Sequence, residues 1–294
     1  MNPLKKIILC PNPFRDRGLK AALQAAEILG NAGIGTAVCL PFPVNGEAGL
    51  PEGVVIQPLP TALRGADLII CFGGDGTILH VAKEAANHRI PVLGVNMGSI
   101  GFMAELESGE LHLLSKLARG ECRREARMMI DIQVLRAGKR VYQNIALNDA
   151  VITKGAIARI IELSVFSSGA LISSFSGDGV IISTPTGSTA YSMSAGGPIV
   201  EPTAENILVT PICAHTLAAK SFVLSQDRAV KTVVGALMHK SAYLSVDGGR
   251  AFRLYSSDEV LIRKSDKQTT LVCLSDNSFY EVIKRKFSKQ GEPV

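Results

Sequence analysis

The chain has 294 residues, long for one domain and ample for two. Hydrophobic residues make up 47% and charged residues 19%, which excludes a disordered chain; with no Trp and 5% aromatics the cores must be aliphatic, and a base-stacking nucleic-acid surface is disfavoured. The net charge of +5 is dispersed apart from Arg123, Arg124 and Arg127 and from Lys284, Arg285 and Lys286, two runs that read as solvated faces, and this mild balance suits a small polyanionic substrate rather than nucleic acid.

The chain opens on a short apolar run, Lys6–Cys10, too brief for a signal-peptide core, and it reads as a buried strand. Arg17–Gly30 follows as a helix with Leu19, Leu23, Ala26 and Leu29 at helical spacing, stopped by Gly30 and Gly33. Gly35–Leu40 is a strand, and Pro41–Pro60 a Pro/Gly-rich loop with a short strand at Val54–Ile56. Leu68–Phe72 is a wholly apolar strand, Thr77–His88 a helix and Val92–Val95 a further buried strand. Such alternation predicts a parallel sheet covered by helices, a Rossmann-like α/β domain over residues 1–126.

Near residue 126 the pattern changes to short strands and turns. Strands are expected at Ile130–Arg136, Arg140–Leu147, Ala150–Thr153, Ile160–Val165, Ala170–Ser174 and Val180–Ser183. More follow at Leu208–Pro211, Phe222–Val223, Val230–Val234, Ala242–Val246, Gly249–Leu254, Glu259–Arg263 and Thr269–Cys273. One helix, Ser188–Ser194, interrupts them. The expectation is a β-sandwich-like domain over residues 127–276. No run approaches the roughly 18 apolar residues of a membrane span, so a cytoplasmic chain without membrane partners is expected. The six Cys form no C-x-x-C pair; Cys10, Cys39 and Cys71 each end an apolar run and read as buried free thiols in a reducing compartment.

The most informative segment is Cys71-Phe72-Gly73-Gly74-Asp75-Gly76-Thr77, between an apolar strand and a helix. Glycines let backbone N–H groups approach a phosphate and permit positive φ, the helix N-terminus adds partial positive charge, and Thr77 is placed to cap it. Asp75 does not fit a pure phosphate cradle. A carboxylate there suits a hydroxyl nucleophile whose proton it accepts, or a metal ion. Gly73-Gly74-Asp75-Gly76 also suits a plain tight turn. No Walker loop, dinucleotide fingerprint, H-E-x-x-H or G-x-S-x-G is present.

Gly73-Gly74-Asp75-Gly76-Thr77 resembles the loop shared by NAD kinases, diacylglycerol and sphingosine kinases and, in variant form, phosphofructokinases. Three further segments resemble the NAD kinases in particular: Asn96-Met97-Gly98-Ser99-Ile100-Gly101-Phe102-Met103, Leu147-Asn148-Asp149, and Asp178 through Ser192 with Gly196-Gly197-Pro198. In order and spacing the likeness runs over about residues 5 to 275.

The resemblance implies transfer of a phosphate from ATP, or from inorganic polyphosphate, to the adenosine ribose 2′-hydroxyl of NAD. Mg²⁺ would arrive with the donor, held mostly by phosphate oxygens and water rather than by a protein cage. It also implies an active site between the two domains, a return of residues 277–294 to the first domain, and a homodimer or homotetramer. By similarity Asp75 is the proton acceptor, flanked by Gly74 and Gly76, and Asn148 and Asp149 bind NAD. Thr189, Ala190, Tyr191, Ser192, Met193 and Ser194 would line the adenine side. Asp178 would reach the site from another subunit. Phe102, His80, Arg159 and Asp247 fall at ligand-contacting places, although His80 also reads as an exposed helix residue and Arg159 as a strand-edge one. Gly177 is Arg in some strictly NAD-specific members, which implies weaker discrimination against NADH, and Gly249 stands near a position where some members carry Gln. The competing readings are a lipid or sugar kinase with the same loop, and a non-catalytic NAD(P)-binding regulator.

Overall fold

A computed structural model describes residues 4–44, 50–98, 101–155, 159–275 and 278–290. Ser99 and Ile100, part of the Pro41–Pro60 loop and the ends of the 277–294 segment lie outside the described residues. The chain divides into two units, Met1–Ala126 with Thr269–Val294, and Arg127–Gln268.

In the first unit the chain forms β1 Lys6–Pro11, α1 Lys20–Asn31, β2 Gly35–Val38, α2 Leu59–Ala62, β3 Leu68–Gly73, α3 Asp75–His88, β4 Val92–Asn96, β5 Leu106–Glu107 and α4 Ser115–Ala118. The strands are parallel in the order β4-β3-β1-β2, with β5 on the carboxyl end of β4. Continuous apolar runs such as Leu68–Phe72 are what a sheet covered on both faces requires, and all five residues are buried.

One face of this sheet, with Ile7, Leu9, Ile70, Leu93 and Val95, packs with Leu19, Ala22, Ala25 and Leu29. Leu19, Leu29 and the half-buried Ala26 face the core as the sequence suggests, but Leu23 is exposed and Ala22 and Ala25 fill the stripe instead. The helix also starts later, because Gly18 (φ 67°) and Leu19 (φ 51°) are left-handed and break it from a 3-10 turn. The 54–56 segment reduces to a single bridge, Ile56 to Val38.

The strands continue as β6 Arg123–Arg136, β7 Lys139–Ala146, β8 Asp149–Lys154, β9 Ile161–Ser167, β10 Ala170–Gly177 and β11 Gly179–Ser183. After α5, Tyr191–Ser194, come β12 Asn206–Ile212, β13 Phe222–Ser225, β14 Val230–Val234, β15 Ala242–Val246, β16 Phe252–Leu254 and β17 Glu259–Cys273, then α6 Phe279–Gln290. The second unit has two antiparallel layers: β10-β9-β14-β17 with β6 and β7 added to β17, and β13-β12-β11-β8-β15-β16. Alternating side chains from both layers fill one core, Ile130, Ile132, Leu163 and Val165 among Ile152, Val180, Ile182 and Leu244, as a sandwich requires.

β17 is one strand where the sequence suggests two. Lys264–Gln268 carries no apolar alternation, and that polar stretch hides its continuity. Its last residues belong to the first unit, where Leu271 pairs with Val92 in parallel.

Cys10, Cys39 and Cys71 are free and buried, as expected, and burial pushes the Cys39 thiol up to about 11, so these thiols are poor nucleophiles. Among the described residues no helix is long and apolar enough to cross a membrane.

Candidate active site

In the first unit the strand order reverses between β1 and β3, and in open parallel sheets ligands bind outside the carboxyl ends of the strands at such a point. The loops after those two strands are tied together: Asn12 N–H donates to the Phe72 carbonyl at 2.8 Å, and Asn12 Nδ2 donates to Thr77 Oγ1 at 3.5 Å. Gly74 is the N-cap of α3, in an extended conformation, so Asp75 is the first helical residue. Thr77 is not the cap; it is buried inside the first turn with its hydroxyl facing Asn12.

None of Gly73, Gly74 and Gly76 uses a positive φ. Their value is space. A Cβ on Gly73 would overlap Thr77 Oγ1, whereas Gly74 and Gly76 face open volume.

Asp75 is pinned from the other side of the loop pair. Phe102 N–H donates to Oδ2 at 2.8 Å and Met103 N–H to Oδ1 at 3.1 Å. A Cβ on Gly101 would overlap Oδ1, so only glycine admits the carboxylate there. An acidic group in the first turn is also favoured by the helix dipole. Lys286, from α6, lies 4.0 Å from the Phe102 ring centroid. His80 is exposed one turn along α3 and packs on Phe42, with centroids 5.0 Å apart.

In the second unit a turn between β7 and β8 carries Leu147-Asn148-Asp149. Asp247, at a left-handed position (φ 48°) after β15, accepts three consecutive backbone N–H groups: Leu147 on Oδ2 at 2.8 Å, and Asn148 and Asp149 on Oδ1 at 2.8 and 3.0 Å. Thr184 closes the opposite side, its hydroxyl donating to the Leu147 carbonyl at 2.5 Å and its N–H to the Asn148 carbonyl at 2.9 Å. The backbone of Gly187 lies so close that a Cβ would overlap Asn148 O.

The two side chains presented by this turn are left without protein partners. Asn148 Oδ1 is buried and unpaired, and no described residue hydrogen-bonds the Asp149 carboxyl. Burial first, and the Asp247 charge second, raise Asp149 to about 7. Burial likewise raises Asp247, against the pull of its three N–H donors.

The segment after Thr184 is not one helix. A 3-10 turn, Thr186–Thr189, is separated from α5 by Ala190, whose ψ of −130° breaks the helix. Thr189 and Ser192 are buried, and the Ser192 hydroxyl is shared with Thr210 at 2.9 Å. Ala190 and Met193 are half-buried, and Tyr191 and Ser194 are exposed.

Asp178 lies at the other end of this layer, Gly177 ends β10 in the facing layer, and Arg159 stands just before β9. Asp178 precedes β11, at whose far end Ser183 pairs with Asp149. Five strand residues, about 16 Å, separate them. Asp178 pairs with Lys154 at 2.6 Å, and Arg159 Nη1 donates to the His239 carbonyl at 2.8 Å. A Cβ on Gly177 would stand 3.0 Å from Ala214 Cα and the Ile212 carbonyl, so a side chain there requires the 212–214 backbone to shift.

Sequence reasoning gave no part to Gly101 and Thr184, although both lie inside segments already singled out, where small residues flank the candidate ones; Lys286 reads from sequence as one of a solvated charge run, and the fold sets it on the Phe102 ring. A cleft of about 740 Å³ in the second unit, between Ser225–Ala229 and Arg263–Gln268, contains none of the residues singled out above. Among the described residues no group of three His, Cys, Asp or Glu side chains is placed to hold a metal ion, and both Asp75 oxygens already accept N–H donors.

Two family models match the chain: the ATP-NAD kinase N-terminal domain over residues 59–121 and the ATP-NAD kinase C-terminal domain over residues 147–274. An NAD kinase of Acetivibrio thermocellus is 35% identical over 293 residues, 98% of this chain and 99% of that one. An NAD kinase of Carboxydothermus hydrogenoformans is 41% identical over 244 residues, 83% of this chain and 86% of that one. In fold, the chain resembles yeast NADH kinase complexed with NADH, with a TM-score of 0.85 at 24% identity over 100% of this chain and 90% of that one. It also resembles an Archaeoglobus fulgidus NAD kinase in complex with ATP, with a TM-score of 0.71 at 21% identity over 96% and 98%. The chain belongs to the NAD kinase family. The lipid-kinase, sugar-kinase and non-catalytic readings find no support in these matches.

Proposed function

We propose that this chain phosphorylates NAD at the adenosine ribose 2′-hydroxyl, with ATP as donor, giving NADP and ADP. The observation that carries the reading, beyond family membership, is Asp75. It is a carboxylate at the start of a helix, in a glycine loop open to a phosphate, with both oxygens oriented by backbone N–H groups.

The ribose oxygen attacks the terminal phosphorus of ATP. The bond to the β-phosphate oxygen breaks, ADP leaves, and the hydroxyl proton passes to the Asp75 carboxylate. The transition state is loose, so holding the carboxylate matters more than its basicity. The open volume at Gly74 and Gly76 leaves the N–H groups of the α3 terminus free to approach phosphate oxygens. Asn148 and Asp149 hold the nucleoside, their unpaired side chains offering an amide and a carboxyl to ribose hydroxyls and the adenine amino group.

A magnesium ion fits this donor set only as a companion of the phosphate donor, bound by its oxygens and water. We place the enzyme in the cytoplasm as a homodimer or homotetramer, with Asp178 serving a neighbouring chain. Support comes from its distance from Asn148 along β11 and from the buried free thiols. The test is formation of NADP from NAD and ATP by the purified chain, read with an NADP-specific dehydrogenase, alongside Asp75→Asn.

A further inference from the structure

Asp247 was singled out by sequence as a substrate contact, and in the structure both oxygens of its carboxylate already accept backbone N–H groups. Three successive backbone N–H donors, from Leu147, Asn148 and Asp149, converge on its two oxygens at 2.8 to 3.0 Å. The donors come from a residue stretch about a hundred positions earlier in the chain, and the acceptor is held in a left-handed conformation that non-glycine residues seldom adopt. Backbone strain of this kind persists only where the surroundings fix it.

We propose that Asp247 is a positioning residue, which fixes the Leu147–Asp149 backbone so that the unpaired side chains of Asn148 and Asp149 stand ready for the nucleoside of NAD. The inference rests on the NAD kinase reading above.

The clamp also has an electrostatic consequence. With three N–H donors, Asp247 is the member of the carboxylate pair suited to carry the charge, and Asp149 is the one that takes up a proton. From the turn after β15, Asp247 is the charged group that acts on Asp149. Ser183, paired with it on β11, and Thr184 and Thr186 beyond are uncharged, and among the described residues no cation acts on either carboxyl. An Asp149 carboxylate needs donors, and the ribose hydroxyls and adenine amino group supply them. NAD therefore binds the ionised form, and binding releases a proton.

The experiment measures KM for NAD across about pH 6 to 8 in the unaltered enzyme and in Asp247→Asn. In the unaltered enzyme KM for NAD falls as pH rises through about 7. In Asp247→Asn, an amide that turns donors toward N–H groups, KM for NAD rises about tenfold or more while KM for ATP holds. Its inflection also moves to lower pH, because the like charge is gone.

A general loss of folded protein would lower the active fraction without moving that inflection. A flat profile in an unaltered enzyme that does make NADP, or an inflection unmoved in Asp247→Asn, overturns the proposal. If Asp247→Asn does not fold, carboxyl ¹³C titration of Asp149 in the unaltered protein, assigned with Asp149→Asn, decides. A midpoint near 7 supports the buried, partnerless Asp149 carboxyl on which the proposal stands, burial being the larger cause and Asp247 the second, and one near the ordinary 3.8 overturns it. An unaltered protein that makes no NADP counts against the kinase reading alone, and the carboxyl titration still tests the pair.

Discussion

At the scale of single residues, the site depends on carboxylates held by backbone rather than by cations. Asp75 takes one N–H on each oxygen, and its seat exists only because residue 101 has no Cβ. Gly101→Ala should push the carboxylate aside and lower kcat about a hundredfold, the cost of misplacing a reacting group by an ångström or so. A variant within threefold of the parent by steady-state kinetics would show that Asp75 is not held as described. Asp75 was legible in sequence, because a carboxylate inside a glycine loop between an apolar strand and a helix is an anomaly with few explanations. Thr77 was misread because its hydroxyl is used by Asn12, and only the fold brings that residue to the helix. The link between Asp247 and Asn148 was not legible either, since no periodicity joins residues so far apart.

At the scale of elements, the β7–β8 turn is wedged between Asp247 and the Thr184–Gly187 segment. Gly187→Ala would drive a methyl into the Asn148 carbonyl, and the expected result is a loss of about 1–3 kcal/mol of stability together with weaker NAD binding. Thermal melts and calorimetric NAD titration check both; an unchanged melt would mean that the backbone there yields freely.

The same region marks the limits of pattern reading. Ser188–Ser194 has helical composition, but Ala190 breaks it, and the Ser192 side chain turns to Thr210 instead of lying along a continuous helix. The strands of both units were largely visible as apolar runs or alternations. β17 was split in the reading because a polar stretch can be held in a ladder by its neighbours, an effect of tertiary context on propensity.

At the scale of the whole molecule, burying Asp149 bears on stability as well as binding. Its folded value is raised to about 7 from 3.8. Between these values the folded state binds more protons than the unfolded one, so this group's contribution is fully present below about 4 and is lost as pH rises through about 7. The amount is of order a few kcal/mol. Asp149→Asn does not titrate, so its melting temperature should gain on the parent between about pH 5 and pH 8; a constant difference would show that Asp149 is not buried in charged form.

The reaction itself tests the assignment of Asp75 and of the kinase activity. Purified protein is given Mg²⁺, NAD and ATP, and NADP is detected by an NADP-specific dehydrogenase. The parent chain should form NADP, and Asp75→Asn should lose about a hundredfold or more in kcat with NAD still bound. Folded parent protein that binds NAD yet forms no NADP, or an Asp75→Asn variant that turns over like the parent, would contradict it.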